Sequence, residues 1–234
     1  MYIFYTPNIS LPNHILNEEE SKHCVRVLRL SVGDVVNLVD GVGGFYSAEI
    51  SSADAKKVGL HILSSQQEYG KRNFKLHIAI APTKNTDRLE WFLEKSTEIG
   101  IDEITPIICH RSERKVIKVD RLEKVITSAV KQSIKAYHPK LNEAQSFELL
   151  INSTVHENKF IAHCLSTDAK HYLSALTNEG EDCLVLIGPE GDFTESEISL
   201  ALQKGFKAVT LGNTRLRTET AALAACFEIN YLNR

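Results

Sequence analysis

The feature that most restricts this fold is a change of rhythm near residue 70. From Leu76 onward, short, mostly apolar runs alternate with segments of helical spacing. The runs are Leu76-His-Ile-Ala-Ile-Ala81, Ile104-Thr-Pro-Ile-Ile-Cys109, Lys159-Phe-Ile-Ala-His-Cys-Leu165, Cys183-Leu-Val-Leu-Ile187 and Ala208-Val-Thr-Leu211. Strands that are apolar on both sides must be covered on both sides, and strand–helix alternation supplies the cover. An α/β fold with a mostly parallel sheet is expected. Helices are predicted over Asp87–Ile99, Asp120–Ser133, Thr194–Lys204 and from about Glu219 to Leu232. In the first, Leu89, Phe92, Leu93 and Ser96 recur at helical spacing. The third opens on the capping box Thr194-x-x-Glu197 and stops at Gly205.

Before residue 70 the pattern is different. Val35-Val-Asn-Leu-Val39 runs into Asp40-Gly41 and Gly43-Gly44, a hairpin signal, and Phe45–Ile50 and Val58–Leu63 supply further strands. Glu18–Leu28 reads as one short helix. The expectation is a small β-barrel with one helix over residues 1–70, a polar linker at Gln66–Asn73, and a second domain over residues 74–234.

Charge and cysteine content narrow the function classes. The formal net charge of −3 argues against general attraction to nucleic acid, yet Arg111–Lys135 holds eight Lys/Arg against Glu113, Asp120 and Glu123. That local +5 leaves −8 on the rest of the chain, so the segment is either a solvated helix face or a docking stripe for a polyanion. Cys24, Cys109, Cys164, Cys183 and Cys226 are scattered without a C-x-x-C, which reads as buried free thiols in a reducing cytoplasm. No window has the ~18 apolar residues of a membrane span, and MYIFYTPNIS lacks a signal-peptide pattern.

In open parallel sheets, ligands bind beyond the carboxyl ends of strands. Three such ends are unusual here: His163–Asp168, Gly188-Pro-Glu-Gly-Asp192 and Gly212-Asn-Thr-Arg-Leu-Arg-Thr-Glu-Thr-Ala221. Glycine lets the backbone approach a ligand closely, and Pro189 stiffens its loop. The chain contains no G-x-G-x-x-G, no G-x-x-x-x-G-K-[ST], no H-E-x-x-H and no G-x-S-x-G. Nicotinamide, triphosphate, metal and serine-hydrolase chemistry are therefore not expected. What is left is a neutral pocket lined by backbone, with arginines and glutamates beside it. Arg217 and Glu219, just before a helix of small residues, suit either a phosphate or base-anion site or a structural ion pair at a helix start.

These motifs together resemble the ribosomal RNA small-subunit methyltransferase E family, of the SPOUT class. The resemblance rests on Leu186-Ile-Gly-Pro-Glu-Gly191 with Phe193-Thr, Gly205-Phe206, Leu211-Gly212 and Leu216-Arg-Thr-Glu-Thr-Ala-Ala222. Upstream, His23-x-x-Arg26-Val-Leu-Arg29, Gly33-Asp34, Asp40-Gly41, Glu94-Lys-x-Thr-Glu-Ile-Gly100 and Gln132-Ser133 agree with it in order. The resemblance implies a PUA-like barrel joined to a SPOUT domain whose chain forms a trefoil knot, and a homodimer. It implies S-adenosylmethionine as cofactor and methylation of uridine N3 in 16S rRNA on the assembled small subunit. Its implied cofactor residues are Leu165, Ser166, Ile187, Gly188, Pro189, Glu190, Gly191, Leu211, Gly212, Leu216, Thr218 and Ala221. Its RNA contacts are His23, Arg26, Arg29, Lys84, Arg88, Arg111, Arg114 and Lys115. The catalytic candidates are Arg217 for charge on the uracil oxygen, with Glu219 to orient Arg217 or accept the proton, and Glu190 as the second base.

The chain departs from the family pattern at three places. Asp192 replaces a second glycine, Asn213-Thr-Arg-Leu-Arg217 replaces the usual Arg-Ile-Leu-Arg context, and Lys135 stands where arginine is usual. Asp192 would narrow the pocket mouth or add charge beside the methionine amine. Two other readings stay open: a SPOUT enzyme for another RNA, and a non-catalytic RNA-binding assembly protein.

Overall fold

The computed structural model describes residues 1–165 and 170–234, and the chain divides into two compact units. One comprises Met1–Lys71 with Thr127–His138, the other Arg72–Ile126 with Pro139–Arg234.

In the first unit, strands β1 (Ile3–Tyr5), β2 (Asn13–Ile15), β3 (Val35–Val39), β4 (Phe45–Asp54) and β5 (Lys57–Gln66) form a sheet ordered β1-β3-β4-β5-β2. Only the β1–β3 pairing is parallel. Although β1 and β2 are opposite edges of this order, Thr6 Oγ1 and His14 Nε2, both buried, share a 2.9 Å hydrogen bond. Flat, a five-stranded sheet would hold its edges ~19 Å apart at the usual strand spacing. The bond therefore means that the sheet curls until its edges meet. It wraps one core containing Phe4, Val36, Leu38, Ala48, Ile50, Val58 and Leu60.

The predicted hairpin forms between β3 and β4, with Val39 opposite Phe45. The Asp40 carboxylate organises it, accepting from the backbone N–H of Val42 and Gly44 (2.8 Å each) and from the Tyr46 hydroxyl (3.0 Å). The predicted single helix is in two parts. Helix α1 (Glu18–Lys22), capped by the Asn17 side chain, widens into a π-helix over His23–Val27, where Leu28 N–H donates to His23 C=O. The wider turn puts His23, Arg26 and Arg29 on the surface while Cys24 stays in the core. Unpredicted, Thr127–His138 joins this unit, with Tyr137 against Gly43, where a Cβ would lie 2.5 Å from the tyrosine oxygen.

The second unit alternates as expected. Its elements are β6 (Leu76–Ile80), α2 (Thr86–Ile99), β7 (Glu103–Ile108), the first part of α3 (Val119–Gln132), β8 (Lys140–Leu141), β9 (Gln145–Ser146) and α4 (Phe147–Ser153). Then follow β10 (Asn158–Ala162), β11 (His171–Tyr172), β12 (Cys183–Ile187), α5 (Glu195–Gln203), β13 (Lys207–Thr210) and α6 (Thr218–Leu232). The sheet order is β11-β13-β10-β12-β6-β7-β8, with β9 also on β7, and every pairing is parallel. β6 and β12 are buried at every residue, which explains why β12 is apolar throughout and β6 is apolar but for the hydrogen-bonded His77. The capping box at Thr194 forms in full, and Leu89, Phe92, Leu93 and Ser96 face inward from α2.

Three readings need correction. The strand expected at 159–165 ends at Ala162, because His163 and Cys164 turn away to begin a loop. The two-residue strands β8, β9 and β11 and helix α4 were not visible in the sequence, since pairs this short carry no periodicity. Cys164 is exposed, whereas the other four cysteines are buried as free thiols. Among the described residues, no helix is long and apolar enough to cross a membrane.

Candidate active site

Strands β13, β10 and β12 are neighbours in the sheet, so the three unusual loops leave it side by side. Their carboxyl ends open on two adjoining cavities of about 250 and 410 Å³, which share Ala162, Cys164, Arg215, Leu216 and Ala221. Each is in or near the size range of small-molecule sites. Ile187, Gly188, Pro189, Glu190, Leu211, Gly212, Leu216, Thr218 and Ala221 border them. Leu165 instead packs against the core, Gly191 lies against Arg111, and Ser166 is outside the described residues.

The loops are held by one another. Thr218 Oγ1 donates to Gly188 C=O (3.1 Å), tying the start of α6 to the β12 loop. Arg215 donates to Glu190 C=O (3.3 Å), and Glu190 Oε1 accepts from Lys84 N–H (2.9 Å). Asp192 has φ +63°, a left-handed conformation that glycine adopts freely and aspartate tolerates when its side chain bonds locally. It does: Oδ1 accepts from Phe193 N–H and Oδ2 from Cys164 N–H, each at 2.8 Å. The residue that departs from the family pattern therefore couples two of the three loops.

Two expected RNA contacts serve the cradle as well. Arg111 Nη1 donates to Gly191 C=O (2.7 Å), and Arg114 donates to the carbonyls of Thr83 and Lys84. The basic stripe is in part internally neutralised, by Arg121 with Glu90 and by Lys131 with Glu20. Lys115, Lys118 and Lys124 remain exposed. Lys84 pairs with Glu113 at 2.9 Å, which holds its ammonium above the usual lysine range.

The ionisable groups at the larger cavity are Arg88, Glu190, Asp192, Arg215 and Arg217. Arg217 is exposed, with no side-chain hydrogen bond or ion pair among the described residues. Glu219 is buried, does not border the cavity, and pairs not with Arg217, as expected, but with Arg88 (Nε–Oε1 3.8 Å). The sequence carried no signal of this, because Arg88 and Glu219 meet only through the packing of α2 against α6. In the smaller cavity, His163 is buried, and neither ring nitrogen is hydrogen-bonded among the described residues. Burial holds its imidazole below the usual histidine range, the Lys170 ammonium adds to that, and Asp192 opposes it. No group of three or more potential metal ligands occurs among the described residues.

Known proteins agree with this architecture. The RNA methyltransferase domain family matches residues 70–230, and the RNA methyltransferase PUA domain family matches residues 16–63. A ribosomal RNA small subunit methyltransferase E 2 of Borreliella burgdorferi is 31% identical, covering 86% of this chain and 84% of its own. The crystal structure of a probable rRNA-methyltransferase from Porphyromonas gingivalis superposes with a TM-score of 0.92 at 41% identity, over 100% of this chain and 98% of that one. A ribosomal RNA small subunit methyltransferase E from Neisseria gonorrhoeae, bound to S-adenosyl methionine, gives 0.88 at 28% identity over 100% and 98%.

Proposed function

Since this chain belongs to the ribosomal RNA small subunit methyltransferase E family, we propose that it methylates N3 of a uridine in 16S rRNA, on the assembled small subunit, with S-adenosylmethionine as donor. The observation that carries the reading is the convergence of three backbone-lined loops on adjoining strand ends around two connected cavities. Their lining is small and mostly uncharged at Gly188, Pro189, Gly212, Leu216 and Ala221, which suits a nucleoside and a sulfonium better than a polyphosphate. When bound, the cofactor supplies an electrophilic methyl group. The chain's own residues bind and orient it, and hold the proton and charge of the incoming base. Glu190, Arg217 and Arg88 border the larger cavity from two loops and helix α2, so a carboxylate and a guanidinium can both meet that base.

In this reading residues 1–70 dock RNA through His23, Arg26 and Arg29, and residues 74–234 transfer the methyl group. Lys115 adds phosphate contact from the second domain, and the target base is flipped to reach the cavity. The protein works in the cytoplasm as a homodimer. Support for the dimer comes from α6, where Phe227 and Tyr231 stack on one another yet are 48% and 63% exposed.

The test is labelled S-adenosylmethionine with purified small subunits that lack the modification, followed by nucleoside mass spectrometry. One 3-methyluridine per subunit is expected. Cofactor binding without transfer would redirect the assignment to another RNA, and no cofactor binding would favour a non-catalytic assembly protein.

A further inference from the structure

We propose that Arg88 is the catalytic cation of this site, meeting the negative charge that develops on a uracil oxygen, and that buried Glu219 is its positioning residue. The assignment rests on the methyl-transfer reading above. Arg88 lies in the first turn of α2 and borders the larger cavity together with Glu190 and Arg217. Its Nε is 3.8 Å from Glu219 Oε1, and its terminal nitrogens have no partner among the described residues. Glu219 lies in the first turn of α6, where the helix dipole favours a carboxylate. It is 6% exposed, and its second oxygen, Oε2, is buried without a hydrogen bond among the described residues. A buried carboxylate so poorly satisfied is costly to keep and calls for an explanation. Holding a guanidinium at the edge of a cavity is one.

The chemistry needs such a group. N3 gives up its proton to the Glu190 carboxylate, and the freed pair forms the bond from N3 to the methyl carbon. The carbon–sulfur bond breaks with its electrons remaining on sulfur, so sulfonium, uracil and carboxylate become thioether, methyluracil and carboxylic acid. Between proton loss and bond formation, charge spreads onto the uracil oxygens, while N3 itself must stay open for attack. A cation at an oxygen stabilises that state only if it is already in place. Arg217 is exposed and unbraced at the N-cap of α6. Arg88 is carried by a helix whose Leu89, Phe92 and Leu93 are fully packed, and its Nε faces the buried Glu219 carboxylate at 3.8 Å.

The experiment uses the full-length protein, with single-turnover methyl transfer to unmodified small subunits, cofactor affinity by calorimetry, and RNA binding across a salt series. Arg88→Ala should slow transfer about 100-fold, the scale of losing one preorganised donor. Cofactor affinity should stay within about twofold and the salt slope should be unchanged. Its rate should also keep rising with pH beyond the wild-type plateau, because without that cation N3 gives up its proton less readily, even with Glu190 in place. Arg88→Lys, which keeps stem and charge, should recover about tenfold, and Glu219→Gln should lower kcat with KM unchanged. Weakened cofactor binding in Arg88→Ala would make Arg88 a ligand for the donor's carboxylate. A smaller salt slope at wild-type rate would make it a phosphate contact. Either result overturns the proposal, as does wild-type rate in Arg88→Lys and Arg88→Ala alike. Failure of the wild type to transfer methyl overturns the underlying reading, and this assignment with it.

Discussion

The two ends of the second unit's parallel sheet treat their polar groups in opposite ways. At the amino end, His77, Glu103, Lys140 and His156, from the starts of β6, β7 and β8 and just before β10, form a closed network. His77 Nε2 bonds Thr105 Oγ1 (2.7 Å) and its Nδ1 bonds His156 Nε2 (3.3 Å), while Asn142 donates to Glu103 Oε1 (2.6 Å) and Thr105 Oγ1 (2.7 Å). At the carboxyl end, among the described residues, neither His163 nitrogen nor Glu219 Oε2 has a hydrogen-bond partner, and the exposed Arg217 makes no side-chain hydrogen bond or ion pair. Satisfied buried groups specify a fold. Of the unsatisfied ones, His163 and Arg217 border the cavities, where a ligand could complete them, whereas Glu219 lies behind Arg88. In the proposed reading, one sheet separates stability from function along its strand direction.

Acid should expose the difference most strongly. Burial brings the His77 imidazole down to about 4 from an ordinary 6.5, with Glu103 opposing and the charges of His156 and Lys140 adding. The unfolded chain therefore takes up a proton below pH 6.5 that the fold refuses until about pH 4. Stability is complete above that window and falls on acidification at ~1.4 kcal/mol per pH unit, roughly 3 kcal/mol across it. Glu103, pushed up by burial but held low on balance by Asn142, His77 and Lys140, loses stability in the same direction. Denaturant titrations from pH 7 to 4 should show this slope in wild type and a flatter one in His77→Leu; equal slopes would remove the amino-end network as its origin.

At neutral pH the same two ends should answer one substitution differently. His77→Leu leaves Thr105 and His156 short of a partner and should cost about 1–3 kcal/mol without changing cofactor affinity. His163→Leu removes two buried, unbonded nitrogens, so stability should hold or rise while cofactor affinity falls. Chemical denaturation and calorimetry on both variants decide this, and a destabilised His163→Leu would break the comparison.

Asp192 offers a smaller, sharper test, since it combines left-handed backbone with loop-tying bonds. Asp192→Ala loses the bonds and keeps the backbone strain, whereas Asp192→Gly loses the bonds but relieves the strain. Alanine should therefore be the less stable by about 1 kcal/mol. Smallest of all, Lys115→Ala should reduce the salt slope of RNA binding by about 0.7 for one single-stranded phosphate contact, with cofactor affinity unchanged. An unaltered slope would return Lys115 to the solvated surface.

What was legible in the sequence was whatever short-range chemistry decides. Buried strands such as Cys183–Ile187 must be apolar throughout, the Thr194 capping box closes within four residues, and Asp40–Gly44 folds on its own carboxylate. The loops 188–192 and 212–221 were marked by glycine, proline and their place after strands, before any cavity was seen. The sequence by itself thus determined the α/β class, the main strands and helices, and the loops that border the two cavities. Only the tertiary structure decided that β13, β10 and β12 stand side by side, that Asp192 bonds Cys164, and that Glu219 reaches Arg88 instead of Arg217. The reason is physical: local propensity acts over a few residues, whereas these contacts join positions 28 to 131 residues apart, and packing alone chooses them.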